Sequence, residues 1–195
     1  MRIIYIAAVT GLCLSLVQGA QAQTATSFRG FRAEVQAGGD RFQSQGDHKD
    51  KFGFGGAIGF DGVIADKIVI GPEFGYWRAR GENITPGVDG GVVANKSFQE
   101  LSAGIRAGYL VTPKTLVYGY GGYADNEQRK SFSGILPDGS DGFYNHYHTT
   151  GYQVGGGAEY SLTDMFYVGA GYRYSNYGNH TSRQRLFASA GIRFK

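Results

Sequence analysis

Apolar and polar residues alternate along most of this chain with a period of two. Phe31, Ala33, Val35 and Ala37 interleave with Arg32, Glu34 and Gln36. Leu101, Ala103, Ile105, Ala107 and Tyr109 interleave with Glu100, Ser102, Gly104, Arg106 and Gly108. The same rhythm returns near Tyr152, Phe166 and Leu186. Successive strand residues face opposite sides, so the pattern predicts strands with one apolar face and one face of glycine and charge. Strands are expected at 30–40, 52–60, 68–80, 98–111, 116–125, 151–160, 165–175 and 184–195. Tyrosine and glycine occupy both parities of the fifth, so its facing stays open. The connections run long, short, long, short along the chain: 41–51, 61–67, 81–97, 112–115, 126–150 and 161–164, with 176–183 last.

The fold turns on which face is buried. A soluble barrel hides its apolar face, whereas a barrel in a membrane points it at lipid and encloses the polar one. Three features favour the membrane arrangement. The polar parity is rich in glycine and serine, which suits a crowded lumen. It carries Glu34, Glu73, Glu100 and Glu159 against Arg32, Arg106, Arg173 and Arg193, an even set that can neutralise itself when enclosed. Aromatic residues of the apolar parity sit at strand ends. Phe31, Phe60, Tyr109, Tyr118, Tyr160, Phe166 and Phe194 fall at one rim, and Phe52, Tyr76, Tyr152 and Tyr174 at the other. Such a double girdle marks the two membrane interfaces. The expected fold is therefore all-β: an eight-stranded antiparallel up-and-down transmembrane β-barrel, its long loops outward and its termini periplasmic. With Trp77 and Tyr167 pointing inward beside the charges, no continuous water channel is expected. Pro72 lies inside a strand and removes a ladder hydrogen bond, so a bulge is expected there.

Composition supports this reading. Of 195 residues, 33 are glycine, a load that would penalise helices. Arg2, the apolar stretch from Ile3 to Val17 and Ala20-Gln21-Ala22 form a secretory signal pattern. Cleavage is expected after Ala22, making 1–22 a signal peptide and 23–195 the barrel domain. Cys13 leaves with that leader, so no disulfide framework or thiolate site is expected in the mature chain. The formal charge of +3 falls to +2 with Arg2 removed, which gives no reason to expect a nucleic-acid partner.

Several segments resemble the small OmpA-like or opacity-type porin-family outer-membrane proteins of Gram-negative bacteria. They are Gly71-Pro72-Glu73-Phe74-Gly75-Tyr76, Ala103-Gly104-Ile105-Arg106-Ala107-Gly108-Tyr109 and Leu116-Val117-Tyr118-Gly119-Tyr120-Gly121-Gly122-Tyr123-Ala124. Val154-Gly155-Gly156-Gly157-Ala158-Glu159-Tyr160 and Gly171-Tyr172-Arg173-Tyr174-Ser175-Asn176-Tyr177-Gly178 complete the set. The resemblance implies that Glu73, Arg106, Glu159 and Arg173 point into the lumen and pair. It also implies an aromatic terminal signal for the outer-membrane insertion machinery; here Phe194 is followed by Lys195. Outer-membrane lipid and lipopolysaccharide are the expected surroundings, and a monomer the expected state.

Chemistry-bearing candidates are few. Gly119-Tyr120-Gly121-Gly122-Tyr123-Ala124 fits a dinucleotide fingerprint, but a strand and polar loop follow where a helix is needed. His146 and His148, with Asp138 and Asp141 nearby, form a candidate loop ligand site for a metal or haem, set against ordinary solvated surface. His48 reads as part of a charged loop tip. Arg173-Tyr174-Ser175-Asn176 is similar to a segment of lipid A deacylases, but Arg173 stands where a His base is required and cannot accept a proton. His180 serves as that base only if its loop folds back. Arg183 and Arg185 are expected near the outer rim, within reach of lipopolysaccharide phosphates. No catalytic residue, cofactor or resident metal is expected. The function expected is a structural barrel that stabilises the envelope and displays its loops. The alternatives are a surface binding protein (adhesin or haem binder, with a host or surface ligand at the loops) and a lipid A-modifying hydrolase.

Overall fold

A computed structural model describes residues 25–44, 47–79, 82–88, 91–133, 144–178 and 181–194. The expected leader at 1–22, Asp138, Asp141, His180 and Lys195 lie outside them. After a 3-10 turn at Ala25–Phe28 come β1 (Gly30–Ser44), β2 (Asp47–Ile64), β3 (Ile68–Ala79), β4 (Glu82–Val88) and β5 (Gly91–Thr112). β6 (Thr115–Ser133), β7 (Tyr144–Ser161), β8 (Phe166–Asn176) and β9 (Thr181–Phe194) follow. Every pairing is antiparallel. The order β3-β2-β1-β9-β8-β7-β6-β5-β4 is closed by a β3–β5 ladder, so eight strands make the barrel. β4 is an added strand that pairs with the outward part of β5.

Facing follows the period of two, with the polarity of a membrane protein. Phe31 is 66% exposed and its neighbour Arg32 only 2%. Val35, Ile58, Phe74, Leu101, Ile105 and Leu186 cover the outside, while Glu73, Arg106, Glu159 and Arg173 are buried within. A water-soluble barrel would reverse these roles, because each buried charge is costly and each exposed aliphatic side chain forgoes about 1.5–3 kcal/mol of burial. The exterior aromatics end the strands at both rims: Phe31, Phe60, Tyr109, Phe166 and Phe194 at the turn end, Phe52, Tyr76 and Tyr152 at the other.

Four expectations need correcting. The strands are longer than the apolar pattern suggested, and much of the expected loops 41–51 and 126–150 is hairpin. β1 and β2 pair out to Ser44↔Asp47, and β6 and β7 out to Ser131↔Tyr144. Above the membrane both strand faces meet water, so polarity there no longer alternates. The expected connection 61–67 shrinks to the three residues 65–67, in which Ala65 (φ 50°) and Asp66 (φ 59°) are both left-handed and the Lys67 N–H donates back to the Ile64 carbonyl. Pro72 makes no bulge. β2 and β3 hold one register across it, from Gly59↔Glu73 to Gly62↔Ile70, and β5 pairs Pro72 with Ile105. Gly71 makes this possible, since a Cβ there would collide with the Phe60 carbonyl. Finally, Tyr118 belongs to the lumen and not to a rim; it is buried with Leu116, Tyr120 and Ala124.

The close approach at Gly71 yields a comparison. Gly71→Ala should cost about 1–3 kcal/mol by overpacking. Gly121→Ala faces open space and should stay within about 0.5 kcal/mol. Denaturant unfolding in lipid vesicles measures both, and equal effects would contradict the strand contact.

Candidate functional site

The inward parity of the eight strands converges on a lumen narrow enough for opposite walls to touch. Glycines alternate there with long side chains, so that each arginine or tyrosine has room beside it. Two ionic layers result.

The layer nearer the termini is one continuous chain of charges. Arg173 Nη2 donates to Glu73 Oε1 at 2.6 Å, and the other Glu73 oxygen accepts from Arg32. Arg32 Nε lies 3.4 Å from Asp61 Oδ2, and its Nη1 lies 3.5 Å from Glu34 Oε2. Asp61 Oδ1 also accepts from Arg106 Nε at 2.9 Å. Arg106 then donates to Glu159, which accepts from Arg193 as well. Glu34 is further held by Tyr167 Oη at 2.7 Å and Gln36 Nε2 at 2.5 Å. Arg32, Arg106, Arg173 and Arg193 thus face Glu34, Asp61, Glu73 and Glu159, and the layer is neutral.

The outer layer is smaller and also neutral. Glu100 Oε1 accepts from Arg185 Nη1 at 2.7 Å and from Gln153 Nε2 at 2.7 Å, and Tyr177 donates to its second oxygen. Asp40 accepts from Trp77 Nε1 at 3.2 Å and lies 3.3 Å from Arg183 Nε. Two arginines therefore meet two carboxylates.

Rings support the cations. Arg173 lies 3.7 Å from the Tyr120 centroid, Arg106 5.0 Å from Tyr118 and Arg193 3.9 Å from Tyr167. Arg185 lies 5.1 Å from Trp77 and Arg183 5.5 Å from Phe42. A desolvated cation gains about 2 kcal/mol over such a face. Apolar clusters close the ends: Phe28, Val69, Leu110, Leu116 and Tyr118 at the terminal side, and Phe42, Ala124 and Tyr177 at the outer side.

All eight charged residues singled out from the sequence lie in this lumen. Reasoning from sequence missed four more: Asp40, Asp61, Arg183 and Arg185. Their parity was the available signal, since Asp40 continues Arg32, Glu34 and Gln36, and Arg185 continues Arg193. Arg183 and Arg185 are consequently not rim cations. They are buried against Glu100 and Asp40, and lipopolysaccharide phosphates do not reach them.

The other candidates fall elsewhere. His146 and His148 are in β7 and not in a loop. His146 pairs through its backbone with Arg129; His148 is exposed, its Nδ1 3.0 Å from Asp125 Oδ1. Among the described residues no group of three or more His, Cys, Asp or Glu could hold a metal ion. Ser175 is buried and its Oγ accepts from Gln153 Nε2 at 2.9 Å, while Arg173 is bound to Glu73. The hydroxyl in turn donates to the Glu100 carboxylate, which Arg185 and Gln153 already hold. Phe194 is exposed at the terminal rim, opposite Phe31.

An antiparallel barrel with an apolar exterior and a charged, filled interior defines a transmembrane β-barrel protein. Residues 10–194 match the family described as outer membrane protein beta-barrel domain, and the chain belongs to that family. Solved structures agree in fold. Ail, the attachment invasion locus protein of Yersinia pestis, crystallised with the heparin analogue sucrose octasulfate, has a TM-score of 0.60 at 16% identity, over 85% of this chain and 99% of that one. Neisserial surface protein A has a TM-score of 0.54 at 19% identity, over 84% of this chain and 97% of that one. No curated protein sequence matches the chain. The family supports an outer-membrane location.

Shared carboxylates should behave as a unit. Glu73→Gln leaves Arg173 buried without its anion and takes one of three carboxylates from Arg32, and should cost about 3–5 kcal/mol; Arg173→Met leaves Glu73 with Arg32 alone and should cost less. The double variant should cost clearly less than the sum of the two, measured by denaturant unfolding in lipid vesicles. Strict additivity would show that the contacts do not act together.

Proposed function

We propose that this protein is a structural outer-membrane barrel of a Gram-negative bacterium, stabilising the envelope and presenting its outer strands and loops at the cell surface. One observation carries the reading: six arginines and six carboxylates fill and neutralise the lumen, leaving side chains where a pore would run. On this reading residues 1–22 are a removed signal peptide and 23–195 the mature domain. The charged set from Arg32 to Arg193 is a structural network, and Phe194 belongs to the strand read by the insertion machinery. The mature chain works as a monomer among outer-membrane lipid and lipopolysaccharide. An enzymatic role is not proposed, because Ser175 is enclosed and Arg173 cannot act as its base.

A second reading, surface binding, is favoured by β5, β6 and β7. They have 22, 19 and 18 residues, against the roughly 9–11 that span a membrane, so together with β4 they extend well past the bilayer. The heparin analogue bound to Ail makes a polyanionic surface ligand a reasonable probe for that extension.

Two measurements decide between these. Planar-bilayer recordings of the folded protein should show no stable, large single-channel steps; such steps would overturn the filled-lumen reading. In a deletion strain, the intact chain and a version with 126–150 cut to a short turn should restore retention of periplasmic markers equally. Rescue by the intact chain alone would shift the assignment to binding through β6 and β7.

A further inference from the structure

The segment ahead of the barrel has a seat of its own. Ser27 and Phe28 are buried, and Phe28 is 0% exposed. Its ring packs in a socket of Val69, Leu110, Leu116 and Tyr118, with Val63 alongside. These side chains come from β2, β3, β5 and β6, all near the ends where the short turns lie. Arg193 lies 4.4 Å from the Phe28 ring and 3.9 Å from the Tyr167 ring. The last strand therefore clamps the first described residues of the chain. Gly30 has a φ of 123°, a conformation that L side chains rarely adopt. That single reversal lets Ala25–Phe28 run beneath the barrel rather than extend away from β1.

We propose that Ala25–Phe28 is a stopper for the periplasmic mouth, with Gly30 as its hinge, Phe28 as the plug and Arg193 as the clamp. Membrane closure at this end is then a property of the N-terminal segment as well as of the strands. Immediately behind the plug lies the chain from Arg193 through Glu159 to Arg106, whose ion pairs are strong only while water stays out. Periplasmic water reaches this chain when the segment swings out and is excluded when it seats. The assignment of the mouth to the periplasm rests on the orientation proposed above, and the seal itself can be tested separately.

Ser161 supplies the reporter position. It is buried beside the plug's clamp, accepting from Arg193 Nη1 at 3.3 Å, and Ser161→Cys changes little in volume. Cys13 is the chain's only other cysteine and lies in the expected leader, so the mature chain labels at one site. Folded protein in lipid vesicles, identified by its heat-modifiable gel mobility, is treated with a charged, water-soluble thiosulfonate. The reporter thiol should label slowly beside Phe28. With Phe28→Ala labelling should be about tenfold faster or more, because a local opening no longer has to precede reaction. Phe28→Leu, which leaves an apolar side chain in the socket, should label at an intermediate rate. If Phe28→Ala does not assemble, Phe28→Leu decides against the native chain on the same terms. Fast labelling beside native Phe28, or equal rates with and without it, overturns the stopper. Bilayer recordings judge the ionic layers, so the two readings fail independently.

Discussion

The structure depends on charge neutrality inside a narrow, water-poor tube. An unpaired guanidinium there costs several kcal/mol, so the lumen must sum to zero locally as well as globally. Four arginines against four carboxylates, and then two against two, satisfy this layer by layer. The register makes the requirement sharper. Arg32 lies directly opposite Arg193 where β1 meets β9, and Arg173 directly opposite Arg185 across β8 and β9. Like charges facing across a ladder repel, and neither β8 nor β9 contains an acidic residue. Relief comes from other strands: Glu159 on β7, beside β8, and Asp61 on β2, Glu73 on β3 and Glu100 on β5. The C-terminal hairpin is thus cationic by itself, and all of its counter-charges come from strands outside it.

Glycine provides the space for this. Trp77 lies over Gly53, Tyr167 over Gly191, and the Arg173 stem beside Gly155; a Cβ at any of these would clash with the ring or stem. The same glycine content that argues against helices therefore sets the depth of the pockets in which the charges lie. Aromatic rings over inward glycines also shield the strand backbone, a recurrent device of curved sheets. Charge, ring and glycine are three parts of one packing solution, and changing any one disturbs the other two.

Much of this was legible from alternation alone, because in the membrane zone each strand must be apolar on one side. Arg32, Glu73, Arg106, Glu159 and Arg193 could be assigned inward on parity without any knowledge of contacts. The readings that failed did so where that constraint lapses. In the outward hairpins both faces are polar, so β6 and β7 resembled loop. At Ala65-Asp66 the turn lacks the glycine or asparagine that usually signals it, so the sequence pattern marks β2 only as far as Phe60. Between 116 and 125 both parities carry tyrosine, so alternation does not tell that Tyr118 faces the lumen. Arg183 and Arg185 looked like surface cations because their carboxylates, Asp40 and Glu100, come from strands distant in sequence. Phe28 gave no periodic signal at all, since a lone aromatic before the first strand has no face to belong to.

The two layers also separate the ends of the molecule. Trp77 and Phe187, 6.4 Å between ring centroids, lie with Tyr120 between the two sets of charges. Because each layer is neutral by itself, neither must borrow a counter-ion from the other when its own end is disturbed. A substitution in the outer layer leaves the chain from Arg173 to Arg193 with its full complement of carboxylates. The costly part of the structure, its buried charge, is balanced on the barrel strands themselves.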